Sequence, residues 1–215
     1  MKTNTILIIG VLSVILLAIG YTLVGTESPE TYLETVEKER ERQYKFIRFN
    51  IESPLTDEQK RNFGKLIYFP IDPDYKVRAR MVPLENKKMV ELPMTDGSME
   101  KYLQHSYAEF ELKGESIKLL LLQSQKDPDR RNFFLAFADA TSGEETYGGG
   151  RYINLRQDGK NSITIDFNLA YNPYCAYNPD YACPLPPREN VLEIPIFAGE
   201  KDYKKDEGGR IREEG

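Results

Sequence analysis

The chain has 215 residues, a net charge of −5 from 34 acidic and 29 basic side chains, one histidine and two cysteines. That length suits one domain with an anchor and tails, and the acidic balance argues against a nucleic-acid partner, which would favour a basic face. The single His105 excludes any zinc site that needs two or three histidines, and a Ser-His-Asp or Cys-His centre would have to use His105 itself.

Residues 3–26 carry no charge, and 6–24 are apolar apart from small or mildly polar residues. As a helix this stretch spans about 28 Å, close to the hydrocarbon core of a bilayer. Lys2 precedes it, while Glu27, Glu30, Glu34 and Glu37 follow before the next lysine, Lys38. The positive-inside rule then places residues 1–5 in the cytoplasm and the body outside, in the periplasm or at the cell surface. A cleaved signal peptide, cut after Gly20, is the alternative, and it leaves the body in the same compartment.

Beyond the anchor, Ser28 as a cap and Pro29 at the first helical position open a helix. Leu33, Val36, Arg40, Tyr44 and Ile47 fall near helical spacing among many charges, so 25–49 reads as a solvated, charged stalk. Thr56 and Gln59 form a capping box for a short helix.

From residue 75 the pattern changes to strands, expected at 75–82, 87–95, 107–112, 116–123, 132–138, 151–155, 162–167 and 191–197. Lys113-Gly114-Glu115 and Asp158-Gly159-Lys160 read as hairpin turns. The apolar runs 119–122 and 133–138 are expected to be central strands. The fold class is therefore mainly β: an antiparallel β-barrel or β-sandwich over 50–200, preceded by a transmembrane helix and a juxtamembrane helix. The tail, 201–215, is charged and expected to be disordered.

Two loops interrupt this pattern. The first is Asp139-Ala140-Thr141-Ser142-Gly143-Glu144-Glu145-Thr146-Tyr147-Gly148-Gly149-Gly150-Arg151. Its three consecutive glycines permit either an unusual backbone or close approach of a ligand. No Lys-Ser/Thr follows them, so it is not a phosphate-binding P-loop. The second follows Asp166-Phe167-Asn168-Leu169-Ala170 and covers 171–187, with five prolines, four tyrosines and both cysteines. The prolines rule out helix or central strand, and the tyrosines make it an ordered loop rather than a linker. Within it, Cys175 and Cys183 read as a disulfide in an oxidising compartment, a loop closure that contributes ~2.5 kcal/mol by the chain-entropy relation. Buried free thiols, or a metal-binding or catalytic thiol, are the alternatives.

The runs Thr141-Ser142-Gly143-Glu144-Glu145-Thr146-Tyr147-Gly148-Gly149-Gly150-Arg151-Tyr152, Asp166-Phe167-Asn168-Leu169-Ala170-Tyr171-Asn172-Pro173-Tyr174-Cys175-Ala176-Tyr177 and Cys183-Pro184-Leu185-Pro186-Pro187-Arg188-Glu189-Asn190 resemble the bacterial and archaeal domain-of-unknown-function family 1684. Ala198-Gly199-Glu200-Lys201 is similar to its closing motif, and a weaker likeness runs back through Tyr68-Phe69-Pro70 and Ser53-Pro54-Leu55. The resemblance implies membership but brings no reaction with it.

The candidate ligand-binding residues are Asp139, Glu145, Tyr147, Arg151, Asp166, Asn168, Tyr171, Asn172 and Glu189. The leading expectation is a binding or scaffold module whose tyrosines and carboxylates meet a small polar or saccharide ligand. A hydrolase using Glu145 with Asp166 or Glu189 requires two carboxyl groups across one cleft, and a Ca²⁺ site would draw on Asp166, Asn168 and Glu189. A structural protein that binds envelope partners is the third reading. In the bland reading the same polar groups only brace their own loops. No catalytic residue, resident metal or cofactor is assigned from the sequence.

Overall fold

A computed structural model of the chain describes Ser13 and residues 28–203. The chain divides into two compact units, Met1–Thr35 and Val36–Gly215. In the first, the described residues other than Ser13 belong to the start of helix α1, Pro29–Phe49, where Ser28 Oγ accepts the Thr31 amide at 3.2 Å. The expected anchor at 6–24 lies outside the described residues except for Ser13. Among the described residues no helix is long and apolar enough to cross a membrane.

The larger unit is a nearly closed antiparallel barrel. Its strands are β1 (Lys76–Pro83), β2 (Met89–Pro93), β3 (Met99–Leu112), β4 (Glu115–Ser124), β5 (Asn132–Phe137), β6 (Arg151–Arg156) and β7 (Ser162–Asp166). They are ordered β6-β5-β4-β3-β1-β7, with β2 added against the first half of β3. β6 and β7, the two ends of this order, lie side by side without a ladder between them among the described residues.

Alternating residues fill the interior, among them Ala79, Ala108, Phe110, Leu119, Leu121, Leu135, Phe137, Ile153, Leu155, Ile163 and Ile165. On the outer side of β4, Leu120 and Leu122 are covered by Leu92, Tyr102 and Phe134. Both faces of β4 are therefore dry, which is why 119–122 reads as an unbroken apolar run. The turn between β3 and β4 is the two-residue hairpin that Lys113-Gly114 implies, with φ of 51° and 87°.

Three expectations change in the barrel and the tail. The sequence shows only the second half of β3, because a bulge at His105 puts one extra residue between the pairs Gln104↔Leu122 and Ser106↔Leu121 and breaks the two-residue alternation. Residues 191–197 form no strand. The first part of this segment makes only scattered backbone bonds, Leu192 N–H to the Ala138 carbonyl at 2.8 Å and Ala140 N–H to the Ile194 carbonyl at 3.2 Å, and from Ile196 side chains take over: Ile196 N–H donates to Asp139 Oδ1 at 3.1 Å, and Arg151 donates to the Ile196 carbonyl at 3.0 Å and to the Ala198 carbonyl. Of the charged tail, 201–203 are ordered. Lys201 N–H donates to the Ile67 carbonyl at 2.8 Å, and Tyr203 is buried on Phe63 and Tyr177. Residues 204–215 lie outside the described residues.

Within the larger unit, helix α1 from Val36 onward is docked rather than solvated. Ile47 is buried with Leu55, Phe63, Leu66, Tyr177 and Tyr203, with Tyr44 and Phe46 packed against them. Arg40 reaches the carbonyls of Asn168 (3.1 Å) and Phe69 (3.1 Å) and lies 4.4 Å over the Tyr68 ring. The charges that suggest a stalk cover the outer side of a helix whose inner side binds the barrel.

Candidate functional site

The open seam between β6 and β7 is the floor of a groove of about 630 Å³. Helix α1 supplies one wall with Glu39, Arg42, Gln43, Phe46 and Ile47. The loop after β7 supplies the other with Leu169, Tyr171, Asn172 and Tyr174. Ile153, Asn154, Leu155 and Arg156 of β6 and Thr164 and Asp166 of β7 complete it. Its size falls within the ~300–1,000 Å³ range of small-ligand sites.

Tyr171 and Tyr174 are half-buried, each held in place by a neighbour. Asn154 Nδ2 donates to the Tyr171 hydroxyl at 2.8 Å, and the Tyr174 ring stacks on Phe46 with centroids 6.3 Å apart. Burial pushes both phenols above their ordinary pKa, so they face the groove as neutral hydroxyls. The two cations at the rim are paired, Arg42 with Glu39, and Arg156 with Asp129 at 2.6 Å.

Under the groove lies Glu200, only 1% exposed. Its Oε2 accepts from Gln43 Nε2 (2.9 Å) and from the Asn172 amide N–H (3.0 Å). Its Oε1 accepts from Asn172 Nδ2 (3.0 Å) and from the Tyr177 hydroxyl. Burial raises its pKa to about 7, against the pull of these donors. Asn172 also gives its second Nδ2 hydrogen to the Lys201 carbonyl at 2.7 Å. With both amide hydrogens committed, its buried Oδ1 is left without a hydrogen-bond partner.

The structure brings Asp166, Tyr171 and Asn172 to this groove and sends the other expected residues elsewhere. Asp139 and Arg151 form a fully buried ion pair at 2.9 Å that fastens 194–200 to the barrel. Burial lowers the pKa of Arg151, and Asp139 opposes that shift. Asn168 is a brace: its side chain donates to the Asp72 carbonyl at 2.8 Å and accepts the Asp72 amide at 3.0 Å. Asp166 accepts the Asn168 amide at 3.0 Å, which caps the turn Phe167–Leu169.

Glu145 and Glu189 are exposed and do not border the groove, so Asp166 is the one carboxylate there of the three expected for hydrolysis. Among the described residues no group of three or more His, Cys, Asp or Glu side chains is placed to hold a metal ion. His105 is half-buried against the Phe133 ring. Glu200, Gln43 and Arg42 were not legible as site residues. The only sign of Glu200 in the sequence is its place in the closing motif.

The glycine-rich loop packs on protein. Gly150 has a φ of 85°, and a Cβ there would sit 2.6 Å from the Phe137 carbonyl oxygen and 2.6 Å from the Pro186 ring. Close approach explains this glycine, and the neighbour is the barrel's own chain.

The expected disulfide is absent: Cys175 and Cys183 are free thiols. Each is held by local partners in place of a covalent bond. Cys175 N–H donates to Cys183 Sγ at 3.1 Å, Cys183 N–H donates to Thr95 Oγ1 at 3.1 Å, and the Tyr147 hydroxyl donates to Cys175 Sγ at 3.6 Å. The hydrogen bond from Cys183 lowers the Cys175 thiol to about 6, helped by Tyr147 and opposed by burial, and the same bond raises Cys183.

The family model described as protein of unknown function (DUF1684) matches residues 61–201, and the chain belongs to that family. The solution NMR structure of an uncharacterized protein of Haloarcula marismortui is similar, with 37% identity and a TM-score of 0.64 over 80% of this chain and 95% of that one. No curated protein matches the chain.

Proposed function

We propose that this member of the family is a binding module that takes a small polar or saccharide ligand in the groove between α1 and the β6–β7 seam. We propose too that residues 6–24 hold it at a membrane with the body outside the cytoplasm. The observation that carries the binding reading is the groove itself, which is of ligand size and walled by the half-buried Tyr171 and Tyr174. The rings of Tyr171 and Tyr174 and the amide of Asn154 supply the mixture of flat apolar faces and directional polar groups that a sugar requires.

Calorimetric titration of the full chain with a panel of mono- and disaccharides tests this reading. At least one should bind, and Tyr174→Ala should weaken that binding about tenfold or more, in keeping with loss of an aromatic anchor. Absence of binding across the panel would remove the proposal. The topology is tested by protease added to intact cells, which should digest the body and leave a short membrane-embedded fragment.

A further inference from the structure

We infer that the ligand of this groove is a short peptide, which adds to the free edge of β6 as an extra strand. This rests on the reading of the groove as a binding site, and it names the class of small polar molecule that the groove takes. The register fixes where the backbone groups of β6 point, because bonded and non-bonded residues alternate along an antiparallel pair. Tyr152 exchanges bonds with Tyr171 at 2.9 and 3.0 Å, on the side away from β5, whereas Gln157 N–H donates to the Arg131 carbonyl at 2.9 Å, on the β5 side. Ile153 and Leu155 therefore bond to β5, and the N–H and C=O of Asn154 and Arg156 point to the seam. No ladder joins β6 to β7 there, and among the described residues no loop or side chain takes these four groups.

The chain itself begins to add a strand to this edge and then stops. Tyr171 pairs with Tyr152 as an antiparallel bridge. The residues that would carry the pairing on to Asn154 are those just before Tyr171, and Phe167–Leu169 wind into a tight turn capped by Asp166. The edge from Asn154 to Arg156 is left bordering the groove. The facing edge of β7 is guarded: Asp158 Oδ2 accepts the Thr164 N–H at 2.9 Å, and Gly159 N–H donates to the Ser162 carbonyl at 3.3 Å. A side chain turned onto an edge is one way a sheet keeps other strands off. β7 carries that guard and β6 does not.

A peptide main chain matches what this edge offers. It repeats a donor and an acceptor at the rise of a strand, ~3.3 Å per residue, so the free stretch pairs with about three or four residues. Main-chain bonds of this kind give affinity, and pockets for alternate side chains give selectivity. Phe46 and Tyr174 supply apolar surface beside the edge. Glu39 and Asp166 stand with Arg42 and Arg156 around the groove, so neither sign of charge is favoured and the fitting peptide is uncharged.

The experiment titrates the full chain with a panel of tetrapeptides of Thr, Val and Tyr, acetylated and amidated at their ends, and in parallel with the saccharide panel. At least one peptide should bind. Hydrogen exchange at the Asn154 and Arg156 amides should then slow about tenfold or more, while Ile153 and Leu155, already bonded to β5, change little. N-methylation of the bound peptide should weaken it about tenfold or more at one alternate set of residues and within about twofold at the other, the period of a strand. Peptide binding without slowed exchange at Asn154 and Arg156, or without that alternation, overturns the inference. Binding of a saccharide with no peptide bound also overturns it and leaves the reading of the groove standing. Binding of neither class overturns both.

Discussion

Asn172 is tied to Glu200 twice, through its backbone N–H to Oε2 and its side-chain Nδ2 to Oε1, both at 3.0 Å. This pairing fixes the loop after β7 as one wall of the groove. It aligns the loop after β7 with helix α1, since Gln43 donates to the same carboxylate. It also decides which end of the Asn172 amide is left without a partner.

The pairing predicts a large cost for removing the carboxylate. Glu200→Ala leaves the Asn172 amide groups, Gln43 Nε2 and the Tyr177 hydroxyl without their acceptor in a dry site. At about 1–3 kcal/mol per unsatisfied donor, partly relieved by repacking, the variant should lose about 3 kcal/mol or more. Urea denaturation measures it. A loss below about 1 kcal/mol would mean that water reaches the site and replaces the carboxylate.

The same group should make stability depend on pH in an unusual direction. Burial raises the folded pKa of Glu200 to about 7 from an ordinary 4.5. A carboxylate whose folded pKa is raised binds its proton more tightly in the native state. Its contribution is fully present below 4.5 and is lost as pH climbs to about 7. Relative to Glu200→Gln, which does not titrate, the wild-type chain should therefore weaken across this window, by an amount of the order of 3 kcal/mol. Denaturation midpoints of the two proteins compared from pH 4 to 8 test the sign, and a constant difference would refute it.

The buried ion pair gives a third test. Arg151→Ala strands Asp139 and releases the Ile196 and Ala198 carbonyls, so about 3–5 kcal/mol should be lost. Hydrogen exchange should quicken first in 194–200, the segment that these two side chains hold in place of a strand ladder.

The barrel was legible where chemistry and period agree. Residues 119–122 and 133–138 read as central strands because both sides of β4 and β5 are covered, and Lys113-Gly114 named its own turn. It was illegible where a side chain replaces a backbone partner, as Asp139 and Arg151 do at Ile196, and where the His105 bulge changes phase. The site shows the same division. Tyr171 and Asn172 stood out in a proline-bound loop. Glu200 and Gln43 did not, since one carboxylate in a closing motif and one glutamine in a charged helix carry no local mark. Their meeting is a tertiary event across more than 150 residues. Asp139 and Arg151 were conspicuous for the opposite reason: a motif rich in polar residues turned out to be bracing.

The glycine run supplies a paired comparison. Gly150→Ala puts a Cβ onto the Phe137 carbonyl at a φ of 85° and should cost about 1–3 kcal/mol. Gly148→Ala meets nothing nearer than 3.6 Å and has no such φ, so its effect should stay within about 0.5 kcal/mol. Thermal melts of the two variants decide between a packing role and a ligand role. If Gly148 proved the costlier position, the loop would be constrained by something other than the barrel.

The thiol pair can be read by its reactivity. Cys175 is half-buried and lowered to about 6, whereas Cys183 is buried and raised, so at neutral pH the reactive sulfur is that of Cys175. Iodoacetamide should modify Cys175 first, with a rate that levels at a lower pH than that of an ordinary thiol. Tyr147→Phe removes the hydroxyl that donates to Cys175 Sγ and should move this transition to higher pH. Peptide mapping after timed alkylation distinguishes the two cysteines. Preferential labelling of Cys183, or a transition unmoved by Tyr147→Phe, would show that the sulfur charge is not held by this hydrogen-bonded pair.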